Sequence, residues 1–283
     1  MKLSSLNQPL VSVVIPNYNG AKFLDESIRS VLNQNYPNLE LIVVDDGSTD
    51  ESLLILQKYG TKIQLLRQSN KGSAAARNAG INIANGDFIA LLDADDIWEE
   101  NKISLQMNLI ESESYDLVYC GGQEFATDLK NGQIHAPLYS GYCYQYFKKF
   151  PSKGIIELGC SSAVFRVSLL ESSGLFDESF LGAAEDWDFF RRYVKFGKVG
   201  YSSGVLVRYR KHSESITARS LRDFYEGNRR AIVKMFREDR DIGIIEKRNI
   251  WLKFHLISFK ANLKEFQFLE SFRLLVCCFK PIA

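Results

Sequence analysis

The 283-residue chain has a formal net charge of +1, with 46% hydrophobic and 24% charged residues. These are the proportions of a soluble globular protein, long enough for one large α/β domain or one domain with an appendage. Near-neutral charge argues against bulk electrostatic binding of nucleic acid, and with no apolar run as long as a membrane span, any membrane contact is expected to be peripheral.

Val11 to Ile15 is a β-rich run closed by Pro16, which is expected to end the strand because proline cannot donate to a central ladder. Pro16-Asn17-Tyr18-Asn19-Gly20 is loop chemistry, and a helical stripe of Phe23, Leu24, Ile28, Val31 and Leu32 follows. Leu39 to Val44 is a second strand that runs into Asp45-Asp46-Gly47-Ser48-Thr49-Asp50. Ser48 or Asp50 suits the cap of a helix holding Leu53, Leu54 and Leu56. Ile63 to Leu66 is a third strand, and Asn70-Lys71-Gly72-Ser73 opens a small-residue helix through Gly80.

Phe88 to Leu92 reads as a strand buried on both faces that stops in Asp93-Ala94-Asp95-Asp96. Burying an unpaired carboxylate costs several kcal/mol, so these acids need water, a base or a cation. Two carboxylates one residue apart suit a divalent ion that also holds phosphate oxygens. The alternative is that Asp95 or Asp96 caps a helix beginning near Ile97. Strand–helix alternation at this spacing predicts right-handed crossovers and a mostly parallel sheet flanked by helices. Pro16, Asp45 and Asp93 then end three strands on one edge, where open α/β sheets bind ligands.

Further on, Leu105, Leu109 and Ile110 fit a helix and Asp116 to Cys120 a strand. Residues 121–153 are rich in aromatics at mixed spacing. Gly182-Ala183-Ala184 leads into a helix with Glu185 and Asp186 at its start, where the macrodipole favours the ionised form. Val205 to Arg210 is another strand, followed by Lys211-His212. Past residue 220, Leu252, Leu256, Phe259, Leu263, Phe266, Leu269, Phe272, Val276 and Phe279 recur every three or four residues among Lys and Arg, which predicts one or two amphipathic helices. Docking on the main domain, pairing with a second subunit and lying on anionic lipid are all open to such a stripe.

Cys120, Cys143, Cys160, Cys277 and Cys278 are odd in number and at no metal-ligand spacing. With no apolar signal core in MKLSSLNQPL, reduced thiols in a cytoplasmic protein are expected.

Four segments, taken together, resemble the family 2 glycosyltransferases of GT-A fold. They are Val11-Ser12-Val13-Val14-Ile15-Pro16-Asn17-Tyr18-Asn19, Val43-Val44-Asp45-Asp46-Gly47-Ser48-Thr49-Asp50, Asn70-Lys71-Gly72 with Ala76-Arg77-Asn78-Ala79-Gly80, and Leu92-Asp93-Ala94-Asp95-Asp96. Each is weak alone; their order is specific. The resemblance spans about residues 10 to 215 and implies a catalytic domain at 1–220; the apolar periodicity beyond it makes 221–283 a C-terminal helical extension. The resemblance also implies inverting transfer of a sugar from a nucleotide donor with a divalent cation, Mn²⁺ or Mg²⁺, in cell-surface polysaccharide or glycan assembly.

Carried over position by position, the resemblance puts Pro16, Tyr18, Asp45, Asn70, Gly72, Arg77, Asp93, Ala94 and Asp95 around the donor. It puts the metal on Asp95 and Asp93 with His212, Arg210 and His212 at the diphosphate, and the general base at Asp186 within Glu185-Asp186-Trp187-Asp188. Glu185 and Trp187 become acceptor or sugar contacts. Asp45 reads the base; an imide N–H of uracil or thymine suits it, and so does guanine's N–H edge, so UDP is favoured by resemblance alone. The acceptor is expected to be a saccharide or lipid-linked saccharide, with the protein in the cytoplasm or at the inner face of the membrane. Tyr139, Tyr142, Tyr144, Tyr146 and Phe147 either line that acceptor or pack a core.

Three other classes are weighed. A nucleotidyltransferase would carry a glycine-rich, Lys/Arg-containing signature after the first strand, where Pro-Asn-Tyr-Asn-Gly stands. A dinucleotide-dependent oxidoreductase would carry G-x-G-x-x-G there. Intact Asp45, Asp93, Asp95 and Asp186 speak against a non-catalytic nucleotide-sugar-binding subunit that keeps the fold without turnover.

Overall fold

The computed structural model describes residues 8–126, 132–148, 156, 158–180, 183–213, 215 and 221–264. The apolar runs at the start of the chain become β1 (Val11–Asn17), β2 (Leu39–Asp45), β3 (Gln64–Arg67) and β4 (Phe88–Leu91), all parallel, with α1 (Leu24–Leu32), α2 (Ser52–Gln57) and α3 (Ser73–Ile83) between them. Their alternate residues feed two cores. Val11, Val13 and Ile15 pack with α1, whereas Val14, Ile42 and Val44 pack under α3. Gly80 lets α3 lie close: a Cβ there would stand 2.4 Å from Val14 Cγ1.

Pro16 does not end β1. The strand continues to Asn17, with Pro16 opposite Val44 and Asn17 opposite Asp45. The reason is directional. Val14 C=O accepts from Leu92 N–H on the β4 side, and residues two apart face the same neighbour. The N–H that Pro16 lacks would point where pairing with β4 has already stopped at Val14–Leu91.

The second half holds β5 (Ile97–Trp98), α4 (Lys102–Glu113), β6 (Leu117–Phe125), β7 (Ile134–His135), α5 (Tyr144–Phe147), β8 (Val164–Arg166), α6 (Leu170–Ser173), α7 (Glu185–Tyr193) and β9 (Val199–Arg210). The sheet runs β3-β2-β1-β4-β8-β6-β9-β5, with β7 on β6. Here the parallel rule gives way. β8 lies antiparallel between β4 and β6, β9 is parallel to β6, and β5 is antiparallel to β9. No helix starts near Ile97, because that segment is a strand and α4 begins at Lys102; Asp95 and Asp96 therefore cap nothing.

Two further helices, α8 (Leu221–Glu238) and α9 (Ile244–Lys264), fold against each other around Ile232, Met235, Phe236, Ile242, Ile250 and Phe254. The packed stripe is Ile250 and Phe254; Leu256, expected within it, is 47% exposed. Phe266, Leu269, Phe272, Val276 and Phe279 lie outside the described residues. No described helix is long and apolar enough to cross a membrane.

Candidate functional site

The acid run after β2 separates into three jobs. Asp50 Oδ1 accepts from Ser52 N–H at 3.0 Å and starts α2, while its Oδ2 accepts from Ala21 N–H at 3.0 Å. Asp46 fixes the loop before α3: Gln68 Nε2 donates to it at 2.7 Å, Lys71 N–H at 2.9 Å and Gly72 N–H at 2.8 Å. Gly72, at φ +91°, needs the freedom glycine has there. Asp45 is different. It is fully buried, takes Asn17 Nδ2 at 3.3 Å on Oδ1, and leaves Oδ2 without a hydrogen bond. Arg67 Nε approaches that oxygen only to 3.9 Å. A buried acceptor without a donor is costly unless a ligand supplies one. Asn17 stands opposite it in the sheet and Pro16 opposite Val44, Tyr18 is 47% exposed, and Asn70 is exposed on the loop that Asp46 holds.

The Asp93–Asp96 turn follows β4. Asp93 Oδ1 accepts from Arg77 Nη2 at 2.7 Å, and its N–H donates to Ser161 Oγ at 3.1 Å. Ala94 is partly exposed between the two acids. Asp95 Oδ2 lies 2.9 Å from His212 Nε2; burial and the Asp93 charge raise this carboxyl's pKa, against the pull of His212. Asp96 is buried, taking Ser161 Oγ at 2.6 Å and Arg210 N–H at 3.0 Å, and burial with the neighbouring acids holds its pKa well above the usual range.

Arg210 is held by two side-chain hydrogen bonds and two rings. Its Nε donates to Asp95 C=O at 2.8 Å, Nη2 to Glu26 at 2.5 Å, and the guanidinium lies between the Phe23 and Phe125 rings at 4.4 and 4.5 Å. It clamps the acidic turn from beneath. The expected Asp93, Asp95 and His212 metal set is not assembled, because Asp93 is tied to Arg77. Among the described residues no three His, Cys, Asp or Glu side chains form a metal-holding group. Asp95 and His212 remain as an oxygen and a nitrogen donor side by side, a two-residue set that suits a divalent ion otherwise ligated by phosphate oxygens.

The third part of the site comes from α7. Ala184 enters it at φ +67°, and the helix starts with Glu185. Glu185 is buried, its Oε1 accepting from Ser73 Oγ at 2.8 Å and Arg77 Nη1 at 3.2 Å. Asp186 is partly exposed. Burial and the Glu185 charge push its carboxyl up to about 6, against the pull of Arg77. Trp187 N–H donates to Asp186 Oδ1 at 2.7 Å, and a Cβ on Gly159 would stand 2.5 Å from Oδ2, so the glycine leaves room for the carboxylate. Asp188 is fully buried on Arg191, Arg192 and Lys234. Trp187 packs against both the α7 core and the α8–α9 cluster. Tyr139, Tyr144 and Tyr146 pack on the core, with Phe147 buried in it; Tyr142 is 75% exposed.

Arg77 is the hinge of the arrangement. One buried guanidinium holds Asp93 from the β4 turn and Glu185 from α7, 108 residues away in sequence from Arg77. Sequence reasoning missed Asn17, Phe23, Glu26, Ser73, Gly159 and Ser161 as site-builders. Asn17 and Ser73 stood inside quoted segments, but nothing local marked which atoms they would meet.

A sheet of this order, with an unsatisfied acid at one strand end and a paired-acid turn at the next, is an open α/β sheet whose candidate site lies at the strand ends. The chain belongs to glycosyl transferase family 2: the sequence model described as Glycosyl transferase family 2 matches residues 12–173. The uncharacterized glycosyltransferase RP339 of Rickettsia prowazekii is 34% identical over 234 residues, 78% of this chain and 70% of that protein. TuaG of Bacillus subtilis, a glycosyltransferase provisionally assigned to teichuronic acid biosynthesis, is 37% identical over 136 residues, 46% of this chain and 54% of its own. Among solved structures, residues 1–349 of S. aureus TarS in complex with UDP-GlcNAc superpose with a TM-score of 0.67 at 23% identity, over 87% of this chain and 71% of that one. That likeness speaks for the fold.

Proposed function

We propose that the protein moves a sugar from a nucleotide-diphosphate donor, UDP-linked by preference, to a hydroxyl of a saccharide or lipid-linked saccharide, inverting the anomeric carbon, in polysaccharide or glycan assembly. The observation that carries this is the Arg77 bridge. It locks the donor-side turn and the first turn of α7 together, which supports reading Asp186 as a base that meets the acceptor on the face of the sugar opposite the leaving group.

The roles follow from the chemistry of each group. Asp45 Oδ2 accepts the imide N–H of the base, which answers its missing donor. Pro16, Tyr18, Asn70, Gly72, Asp93 and Ala94 line the donor. A divalent cation held by Asp95 and His212, when bound, supplies positive charge to the diphosphate. Arg77 adds fixed positive charge there. Arg210 we assign to holding the Asp95 turn instead of the diphosphate. Glu185, engaged by Ser73 and Arg77, orients α7, and Trp187 flanks the acceptor. Asp186 takes the proton of the attacking hydroxyl; a base with a pKa near 6 is mostly ionised at neutral pH and still basic enough to be useful. Direct attack from the face opposite the leaving group inverts configuration with no enzyme nucleophile. The UDP-GlcNAc complex of TarS supports the donor class, and the TuaG assignment supports the setting.

The test is a panel of nucleotide sugars with Mn²⁺ or Mg²⁺ and candidate acceptors, read as nucleotide release. Release confined to nucleotide sugars supports the reading. Products formed only from nucleoside triphosphates would make it a nucleotidyltransferase, and donor binding without release, a partner subunit.

A further inference from the structure

α8 and α9 carry more cations than acids, and Glu246 on α9 lies two turns from Lys253 on the same face. Residues 221–264 hold eleven Lys and Arg against six Asp and Glu, in a chain of net charge +1. Most of the acids are engaged: Glu238 and Asp239 on Arg191, Asp239 also on Lys195, Asp241 on Lys148, and Glu226 on Arg229 within α8. Arg230, Arg237, Arg240, Arg248 and Lys253 are exposed and make no ion pair among the described residues.

Aliphatic side chains lie among those cations. Ile244 is 82% exposed and Ile245 74%, Leu256 and Ile257 47% each, and Phe224 on α8 50%. Ile245, Arg248, Asn249, Leu252, Lys253 and Leu256 succeed one another at three- and four-residue steps or as neighbours, and so share one face of α9. Ile250 and Phe254, on the other side, fill the α8–α9 cluster.

Exposed aliphatic side chains set among cations on one helix point to a contact site. A two-fold pairing through this face would gather the Arg248 and Lys253 charges of both copies into one drying interface. Nucleic acid would use the cations but gain nothing from the isoleucines. Anionic phospholipid uses both: the aliphatics enter the acyl boundary while the Lys and Arg stems snorkel to the headgroups.

We propose that the outer face of the α8–α9 pair docks the protein on an anionic phospholipid surface, with α9 lying on the bilayer. The docked pair is tied to the catalytic side, because Gly227 of α8 packs so closely on Ala183 that an added Cβ would stand 2.5 Å from it. The surface would therefore hold the start of α7 near the membrane, which suits an acceptor carried on lipid. That consequence rests on the glycosyl-transfer reading; the lipid contact does not.

The test is co-sedimentation of the full chain with vesicles containing phosphatidylglycerol and with vesicles of phosphatidylcholine alone. Binding is expected to the first, to weaken with salt, and to be absent from the second. Ile244→Asp with Ile245→Asp, and separately Arg248→Glu with Lys253→Glu, should each weaken it on the order of tenfold. Circular dichroism should be unchanged, since these side chains are exposed, and if one pair disturbs folding the other decides. The proposal falls if neither vesicle binds, if phosphatidylcholine alone binds equally, or if both variant pairs bind like the parent. It falls equally if light scattering finds a lipid-free dimer that the isoleucine pair dissociates.

Discussion

The attachment of α7 to the C-terminal helices gives a prediction whose size the structure sets. Arg191 is fully buried, and its guanidinium reaches Asp188 at 3.0 Å, Asp239 at 2.8 Å and Glu238 at 2.5 Å. Asp239 also takes Lys195, and Asp188 takes Arg192 at 2.9 Å and Lys234 at 2.8 Å. Asp239→Ala strips one carboxylate from a buried cation. Removing one partner of a buried pair commonly costs about 3–5 kcal/mol, because the other is left uncompensated. Arg191 keeps two carboxylates and Lys195 is 24% exposed, so it can regain water; the low end, about 3 kcal/mol, is expected. Lys148→Ala is the contrast, since its partner Asp241 is 61% exposed, and such a pair is worth about 1 kcal/mol or less. Urea unfolding of the three proteins measures both. Equal losses for the two variants, each below about 1 kcal/mol, would refute the view that this network fastens the helices to α7.

Three further outcomes follow from the site. With Asp186 as base at about 6, kcat/KM should fall roughly tenfold per pH unit below that value, because the working form is the ionised one, and stay level just above it; a profile flat from pH 5 to 7 would contradict this. Asp95→Asn and His212→Ala should each weaken divalent-ion-dependent UDP binding by about tenfold or more in calorimetry, whereas binding that ignores chelator would remove the ion from both residues. Asp45→Ala should weaken UDP binding by about 1–3 kcal/mol; ribose 5-phosphate, which lacks the base, should bind parent and variant alike, and a loss for both ligands would make Asp45 a scaffold residue.

What could be read in advance follows the range of the interactions. Strands at Val11, Leu39, Ile63 and Phe88 are written in local apolar runs, and parallel pairing follows from the helices between them. So the acids at one edge were legible, Asp45 and Asp93 included. β8 carries no local mark of its direction; its antiparallel place between β4 and β6 is set by contacts Leu117 and Phe88 make with Phe165 and Arg166. Pro16 was misjudged because its missing N–H matters only if a neighbour strand stands opposite. The acids of Asp93–Asp96 look equivalent in sequence, yet Asp93 meets Arg77, Asp95 meets His212 and Asp96 is buried on Ser161. Such partners lie tens of residues away. Arg210 illustrates the same limit: its type suits a phosphate, and nothing local marks its contacts with Asp95 C=O, Glu26, Phe23 and Phe125.

The central claim is that Asp186 is the base while Asp45, Asp93 and Asp95 serve the donor. Asp186→Asn keeps the size of the side chain and removes its basicity. Donor binding by calorimetry and transfer rate, measured on the same preparation, separate the two roles. The account predicts donor affinity within about threefold of the parent, with transfer lower by roughly 10²-fold or more. Near-parental transfer by Asp186→Asn would contradict it, and so would a loss of donor affinity that matches the loss of rate.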